Sequence, residues 1–295
     1  MSELKKRVGV ALWGIPLLLF LIYMGGYYFL AFILIANGMA LWEFYTMYSG
    51  KGIFPQKLPG TVLSTLFLLS VFFMPEYWQT SLLAVVMVIL CLHLTNQKGM
   101  PSSNTVFTLG GIVYITLLFA CMLELRLNFH AMIPAAAKGV STLGFEHALF
   151  PGLNEATLAG GRYLIALFGS IWICDSAAYS GGKKLGKHKL APTVSPNKTI
   201  EGAAFGLVFG VLSFWALGLV FIPELPLTYA IISGLVVGIF GQIGDLVESR
   251  FKRDAGVKDT SNLLPGHGGI LDRFDSLMFV SPFLLALFYY WGKAW

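Results

Sequence analysis

The sequence is short of charge. Only 12% of its 295 residues are Asp, Glu, Lys or Arg, against about 25% in a soluble domain. The length alone would suit two soluble domains; the missing charge excludes them. Cysteine is scarce too. Cys91, Cys121 and Cys174 all stand inside apolar runs, with neither metal-ligand spacing nor a disulfide pattern, and read as small buried hydrophobes. No internal repeat is evident, which counts against a transporter built from two related halves. No nucleic-acid partner is expected.

What the chain has instead is apolar sequence, 56% of the whole. Helix-length runs fall at about 8–24, 27–46, 59–74, 79–95, 106–124, 161–181, 202–222, 228–247 and 277–292. Each is near the roughly 17–25 residues that a bilayer core demands. The expectation is an all-α, polytopic integral membrane protein with about nine transmembrane helices. Lys5-Lys6-Arg7 before the first run resembles the start of a signal peptide. No small-x-small cleavage site follows, so the run reads as a retained span.

Basic residues set the expected orientation. With the N-terminus cytoplasmic, the inner segments hold Lys5, Lys6, Arg7, Lys51, Lys57, Lys98, Lys183, Lys184, Lys187, Lys189, Lys198, Arg250, Lys252, Arg253, Lys258 and Arg273. Only Arg126, Lys138, Arg162 and Lys293 fall outside. The segment 125–160 then reads as a long outer loop whose His130 and His147 are incidental. Gly202, Gly206 and Gly210, with Gly234 and Gly238, form four-residue stripes that let helices approach closely, more readily within one chain than between two. Residues 1–160 read as a helical scaffold and 161–295 as the part that carries chemistry.

Polar atoms beside a bilayer are costly unless paired or ligating. The densest polar stretch runs from Asp245 to Asp275 and holds six acidic and five basic residues. Asp245, Glu248 and Ser249 share one helix face, as do Asp272 and Asp275. Pro265-Gly-His-Gly-Gly269 forces a turn between them. All-oxygen carboxylate ligands of this kind favour Mg²⁺ or Mn²⁺ over Zn²⁺. Neither Asp245 nor Asp272 has an obvious dedicated Lys partner on its own helix face, and two carboxylates forced together would repel and one would take up a proton, unless a cation sits between them. With Arg250, Lys252, Arg253 and Lys258 alongside, the set suits transfer of a phosphoryl or nucleotidyl group.

Two further segments precede it. Asp175 lies inside an apolar run and calls for a Lys, a metal or water. Gly181-x4-Gly186-Lys187 imitates a phosphate loop but has His188 where Ser or Thr belongs, and it follows a membrane helix rather than a strand. Ser195-Pro-Asn-Lys198-Thr199-Ile-Glu201-Gly202 reads as a helix start that also offers Lys198 to a phosphate.

At these residues the chain resembles the phosphatidate cytidylyltransferases, or CDP-diacylglycerol synthases. Their signature runs through Ser249, Phe251, Lys252, Arg253, Lys258, Asp259, Ser261, Leu264, Pro265, His267, Gly268, Gly269, Asp272, Arg273, Phe274 and Asp275 without a break. Asp175-x-Ala-Ala-Tyr179 and the 195–202 segment resemble the family's upstream pattern. The resemblance covers about residues 175–275 and implies that CTP and phosphatidate give CDP-diacylglycerol and pyrophosphate in phospholipid biosynthesis. It implies catalytic roles for Asp245, Asp272, Lys258 and Arg273. Substrate contacts are implied for Lys198, Ser249, Lys252, Arg253, Asp259, His267, Gly268 and Gly269. Mg²⁺ on Asp245 and Asp272 is implied, with Asp175, Glu248 and Asp275 completing the shell or holding a second cation. A homodimer in the cytoplasmic (inner) membrane, with the site facing the cytoplasm, is also implied. The alternatives are a phosphotransferase of CDP-alcohol type, whose Asp-Gly-x2-Ala-Arg motif is missing because Leu246 follows Asp245, and a cation or lipid transporter using the buried acids.

Overall fold

The computed structural model describes residues 3–96, 98–134, 155–264, 266 and 268–291. Among these residues the chain is nearly all helix. The helices are α1 (Glu3–Met24), α2 (Gly26–Met47), α3 (Lys57–Phe73), α4 (Trp78–His93), α5 (Pro101–Gly111) and α6 (Leu117–Met132), the last two joined by a π turn at Ile112–Thr116. Then come α7 (Glu155–Leu185), a hairpin of β1 (Lys189–Ala191) and β2 (Ser195–Thr199), and α8 (Ile200–Phe221). The last are α9 (Leu227–Val236), a π turn at Val237–Gly241, α10 (Gln242–Ala255) and α11 (Leu271–Trp291).

Each of the nine apolar runs is helical among the described residues. Six helical stretches are long and apolar enough to cross a membrane: Gly26–Lys51, Pro75–His93, Pro101–Met132, Thr157–Leu185, Ile200–Phe221 and Leu227–Ala255. Val8–Met24 and Lys57–Phe73 are apolar but shorter. The chain is therefore an integral membrane protein.

The outer-loop reading of 125–160 needs correction at both ends. Helix α6 continues to Met132 and α7 begins at Glu155. His147 lies outside the described residues; His130 sits in the last turn of α6. Arg126 is no loop charge. Its guanidinium is 1% exposed and donates to the carbonyls of Ile22, Tyr23 and Thr157. The last carbonyls of a helix have no partner within it, and Arg126 supplies one at the end of α1.

The contacts divide the chain into two units. The first takes the stretch ending at Trp13, Leu30–Glu124 and Phe251–Phe274. Its core is aromatic: the Phe251 ring lies 5.5 Å from that of Phe44 and 4.9 Å from that of Tyr114, and Phe274 lies 5.6 Å from Phe32. The Tyr48 hydroxyl donates to the Phe251 carbonyl at 3.3 Å. These contacts join α2 to the signature segment.

The second unit takes Gly14–Phe29, the described residues of Leu125–Arg250, and the stretch from Asp275. Fully buried Tyr163 stacks on Phe129 at 4.3 Å and meets Phe214 and Phe288, while its hydroxyl pairs with Ser233 Oγ at 2.9 Å. The glycine stripes pack within the chain. A Cβ on Gly234 would stand 2.5 Å from Val211 Cα, and one on Gly238 would stand 2.8 Å from Leu207 Cα. Helices α8 and α9 approach this closely because no side chain intervenes.

Candidate active site

In the second unit, the Thr199 side chain accepts the Gly202 N–H at 3.1 Å and caps α8, as the 195–202 segment predicts. The strands were not foreseen. Glu201 closes the hairpin by accepting the backbone N–H groups of Lys187 and His188. Helix α7 runs through Leu185, so the Gly181–Lys187 stretch has no strand-to-helix turn to cradle a phosphate.

The hairpin presents Lys198. Its ammonium lies 2.7 Å from Asp245 Oδ2 in the first turn of α10, and Ser249 Oγ donates to Asp245 Oδ1 at 3.2 Å. These side chains remain open, at 25% exposure for Lys198 and 36% for Asp245. Glu248 is buried and Asp175 is exposed on α7. Asp275 takes the Ser276 N–H at 2.6 Å. Between α7 and α8 opens a groove of about 490 Å³ lined by Trp172, Ile173, Phe205 and Phe209, with Ser176, Ser180 and Lys184 as its polar members.

In the first unit, Asp272 is enclosed at 4% exposure. Its Oδ1 lies 2.7 Å from Lys252 Nζ, and its Oδ2 accepts the N–H groups of Thr260 and Gly269 and the Thr260 hydroxyl. The expected lack of a dedicated lysine partner holds only within each acid's own helix: Lys252, seven positions after Asp245 on α10, pairs with Asp272 instead. Lys198 and Lys252 reach Asp245 and Asp272 from other elements. A carboxylate has about two lone-pair sites on each oxygen; on Asp272 two N–H groups and the Thr260 hydroxyl crowd Oδ2, and Lys252 stands on Oδ1. Gly268 and Gly269 are shaped by this acid. Gly268 has φ +79°, a left-handed conformation that favours glycine, and a Cβ there would stand 2.7 Å from Asp272 Oδ2.

Sequence reasoning missed Glu43. It is 5% exposed on α2 and accepts Ser261 Oγ at 2.7 Å and the N–H groups of Ile270 and Leu271 at 3.0 and 2.9 Å. Thr260 Oγ1 stands between two acids, 2.8 Å from Asp272 Oδ2 and 3.1 Å from Glu43 Oε2, so its single hydrogen serves one at a time. The available signal was a lone carboxylate inside an apolar run, which calls for partners. Arg253 donates to the Val257 carbonyl at 3.0 Å. Lys258, Asp259 and Arg273 are exposed, and His267 lies outside the described residues.

A model of the cytidylyltransferase family matches residues 5–291. The chain belongs to the cytidylyltransferase family. Similar family members include the phosphatidate cytidylyltransferase of Bacillus subtilis, 36% identical over 98% of this chain and 100% of that protein. Another is the phosphatidate cytidylyltransferase of Synechocystis, 37% identical over 94% of each chain. That of Staphylococcus saprophyticus is 46% identical over 46% of this chain and 52% of its own length. The family match extends the resemblance of residues 175–275 back through the N-terminal helices, where Glu43 lies.

The donor sets decide how each acid suits a divalent cation. Asp245 suits one: it is partly open and carries one ammonium and one hydroxyl. Asp272 suits one through Oδ1, beside or in place of the Lys252 ammonium, because Oδ2 is already crowded by donors. Within neither unit do three His, Cys, Asp or Glu side chains of the described residues gather as a ready metal site.

Proposed function

We propose that this chain makes CDP-diacylglycerol and pyrophosphate from CTP and phosphatidate at the cytoplasmic face of the cytoplasmic membrane. The observation that carries the reading is the pairing of two acids of the polar segment with lysines at 2.7 Å, Lys198 to Asp245 and Lys252 to Asp272, in a chain of the cytidylyltransferase family. Paired ammonium and carboxylate groups are the equipment for holding polyphosphate and its counter-cation.

A phosphate monoester has its second pKa near about 6 and is mostly a dianion at neutral pH. Its oxygen attacks the α-phosphorus of CTP, a new P–O bond forms, the bond to the β-phosphate bridge breaks, and pyrophosphate leaves. No strong base is required; charge neutralisation is. Lys198 and Lys252 exchange their carboxylates for phosphate oxygens, and Arg253, Lys258 and Arg273 hold the rest. Ser249, Asp259, His267, Gly268 and Gly269 complete the substrate contacts. When bound, Mg²⁺ neutralises triphosphate oxygens and the departing pyrophosphate. Asp245 and Asp272 would hold it, with Asp175, Glu248 and Asp275 completing the shell or serving a second cation.

The apolar groove on α7 and α8 suits a phosphatidate acyl chain, with Lys184 toward the headgroup. Nine spans with a cytoplasmic N-terminus place the basic segments inside, and the resemblance favours a homodimer. The test is pyrophosphate release from CTP by the purified protein, with and without phosphatidate. Release only with both supports the reading. No pyrophosphate release, or formation of CMP from a CDP-alcohol in its place, refutes it.

A further inference from the structure

We infer that Glu43 is a positioning residue of the site, capping the N-terminus of α11 from a different helix and thereby fixing Asp272. The inference rests on the functional reading above.

The first N–H groups of a helix lack partners within it, and the positive end of the helix dipole favours an anion there. At the start of α11 these groups are the N–H of Leu271 and, just before it, that of Ile270, and among the described residues Glu43 is the side chain that takes them. Glu43 of α2 takes both, at 3.0 and 2.9 Å, and also holds Ser261 Oγ at 2.7 Å. One carboxylate thus ties Ser261 and Ile270, on either side of the turn, to a membrane helix 218 and 227 positions away in sequence. Asp272 follows Leu271 directly, so its carboxylate direction depends on where that first turn sits. The two acids also meet through the Thr260 hydroxyl.

Gly269 carries the mark of this arrangement. A Cβ at that position would fall on Glu43 Oε2 and Thr260 Oγ1, so the backbone is bare where the acid lies. Glu43 is 5% exposed, too enclosed to meet a substrate in this state. Its role is exerted through the loop.

The experiment uses the full-length protein. Glu43→Gln keeps the shape but sets an amide against N–H donors. Turnover should fall by about 10–100-fold, the usual cost of losing a group that orients a site residue. A reporter cysteine at exposed Asn262, with Cys91, Cys121 and Cys174 replaced, should react faster with a thiol reagent in the Glu43→Gln background. Asn37→Ala is the control: it removes another buried polar group of α2, which bonds Ser64 Oγ, and should lower thermal stability while leaving turnover per folded molecule unchanged. Should Glu43→Gln not accumulate, Ser261→Ala removes one donor and should shift both readouts the same way by less. Unchanged turnover, or unchanged labelling at position 262, overturns the inference. If wild-type protein releases no pyrophosphate, the functional reading fails, and the labelling alone still decides whether Glu43 holds the loop.

Discussion

Lys252 and Asp272 form an ion pair at 2.7 Å with side chains only 12% and 4% exposed. An enclosed pair of this kind is held against a desolvation cost, so removing one partner leaves the other charge uncompensated. Lys252→Met should destabilise the protein by about 3–5 kcal/mol. Lys252→Met combined with Asp272→Asn should recover part of that loss. Thermal unfolding in detergent measures both. Equal unfolding of wild type and Lys252→Met would show that the pair carries no stability.

Lys198 and Asp245 are joined at the same distance but stand far more open. Exposed pairs contribute about 0–1 kcal/mol. Lys198→Met and Asp245→Asn should therefore unfold near the wild-type temperature while pyrophosphate release collapses. This contrast makes Asp245 the cleaner metal test. Loss of activity in Asp272→Asn would mix the loss of a proposed ligand with a broken ion pair, whereas in Asp245→Asn it would report on chemistry. A stable Asp245→Asn protein with native activity would remove Asp245 from the site.

The helix stripes give a packing prediction. Gly234→Ala puts a methyl 2.5 Å from Val211 Cα, and overpacking of that kind costs about 1–3 kcal/mol. Gly218 on the same helix as Gly210 has nothing within 4 Å of its would-be Cβ. Gly218→Ala should leave the unfolding temperature unchanged or slightly higher, since Ala is the better helix former by about 0.5–1 kcal/mol. The two variants compared side by side separate helix contact from helix propensity.

Orientation is testable without activity. With the native cysteines replaced, single cysteines at Lys187 and Lys258 should resist an impermeant thiol reagent in intact cells and react after lysis. Labelling of both from outside would reverse the topology.

The helices were legible because a bilayer leaves the backbone few choices, and apolar runs near 20 residues translate directly into spans. The start of α8 was legible at Thr199 for the same reason: caps are local. The signature acids were visible as charges in an apolar chain. Their partners were not, because Lys198 reaches Asp245 across 47 positions and Lys252 reaches Asp272 across 20. Spacing along one helix cannot show a lysine arriving from a hairpin. Glu43 escaped for a related reason. Its donors lie more than 200 positions downstream, and nothing around it in α2 is polar enough to announce a site. The extent of α6 and α7 was misjudged because weakly polar sequence there continues the helices beyond their apolar cores.

The central claim is that the α-phosphorus of CTP passes to a lipid phosphate. Purified protein, Mg²⁺ and phosphatidate are incubated in parallel with CTP labelled at the α- or the γ-phosphorus, and the lipid phase is extracted. The account predicts that α-label enters the lipid phase only when phosphatidate is present, that γ-label stays in water as pyrophosphate, and that chelation stops both changes reversibly. Transfer of γ-label to lipid, or no transfer of α-label, would contradict it.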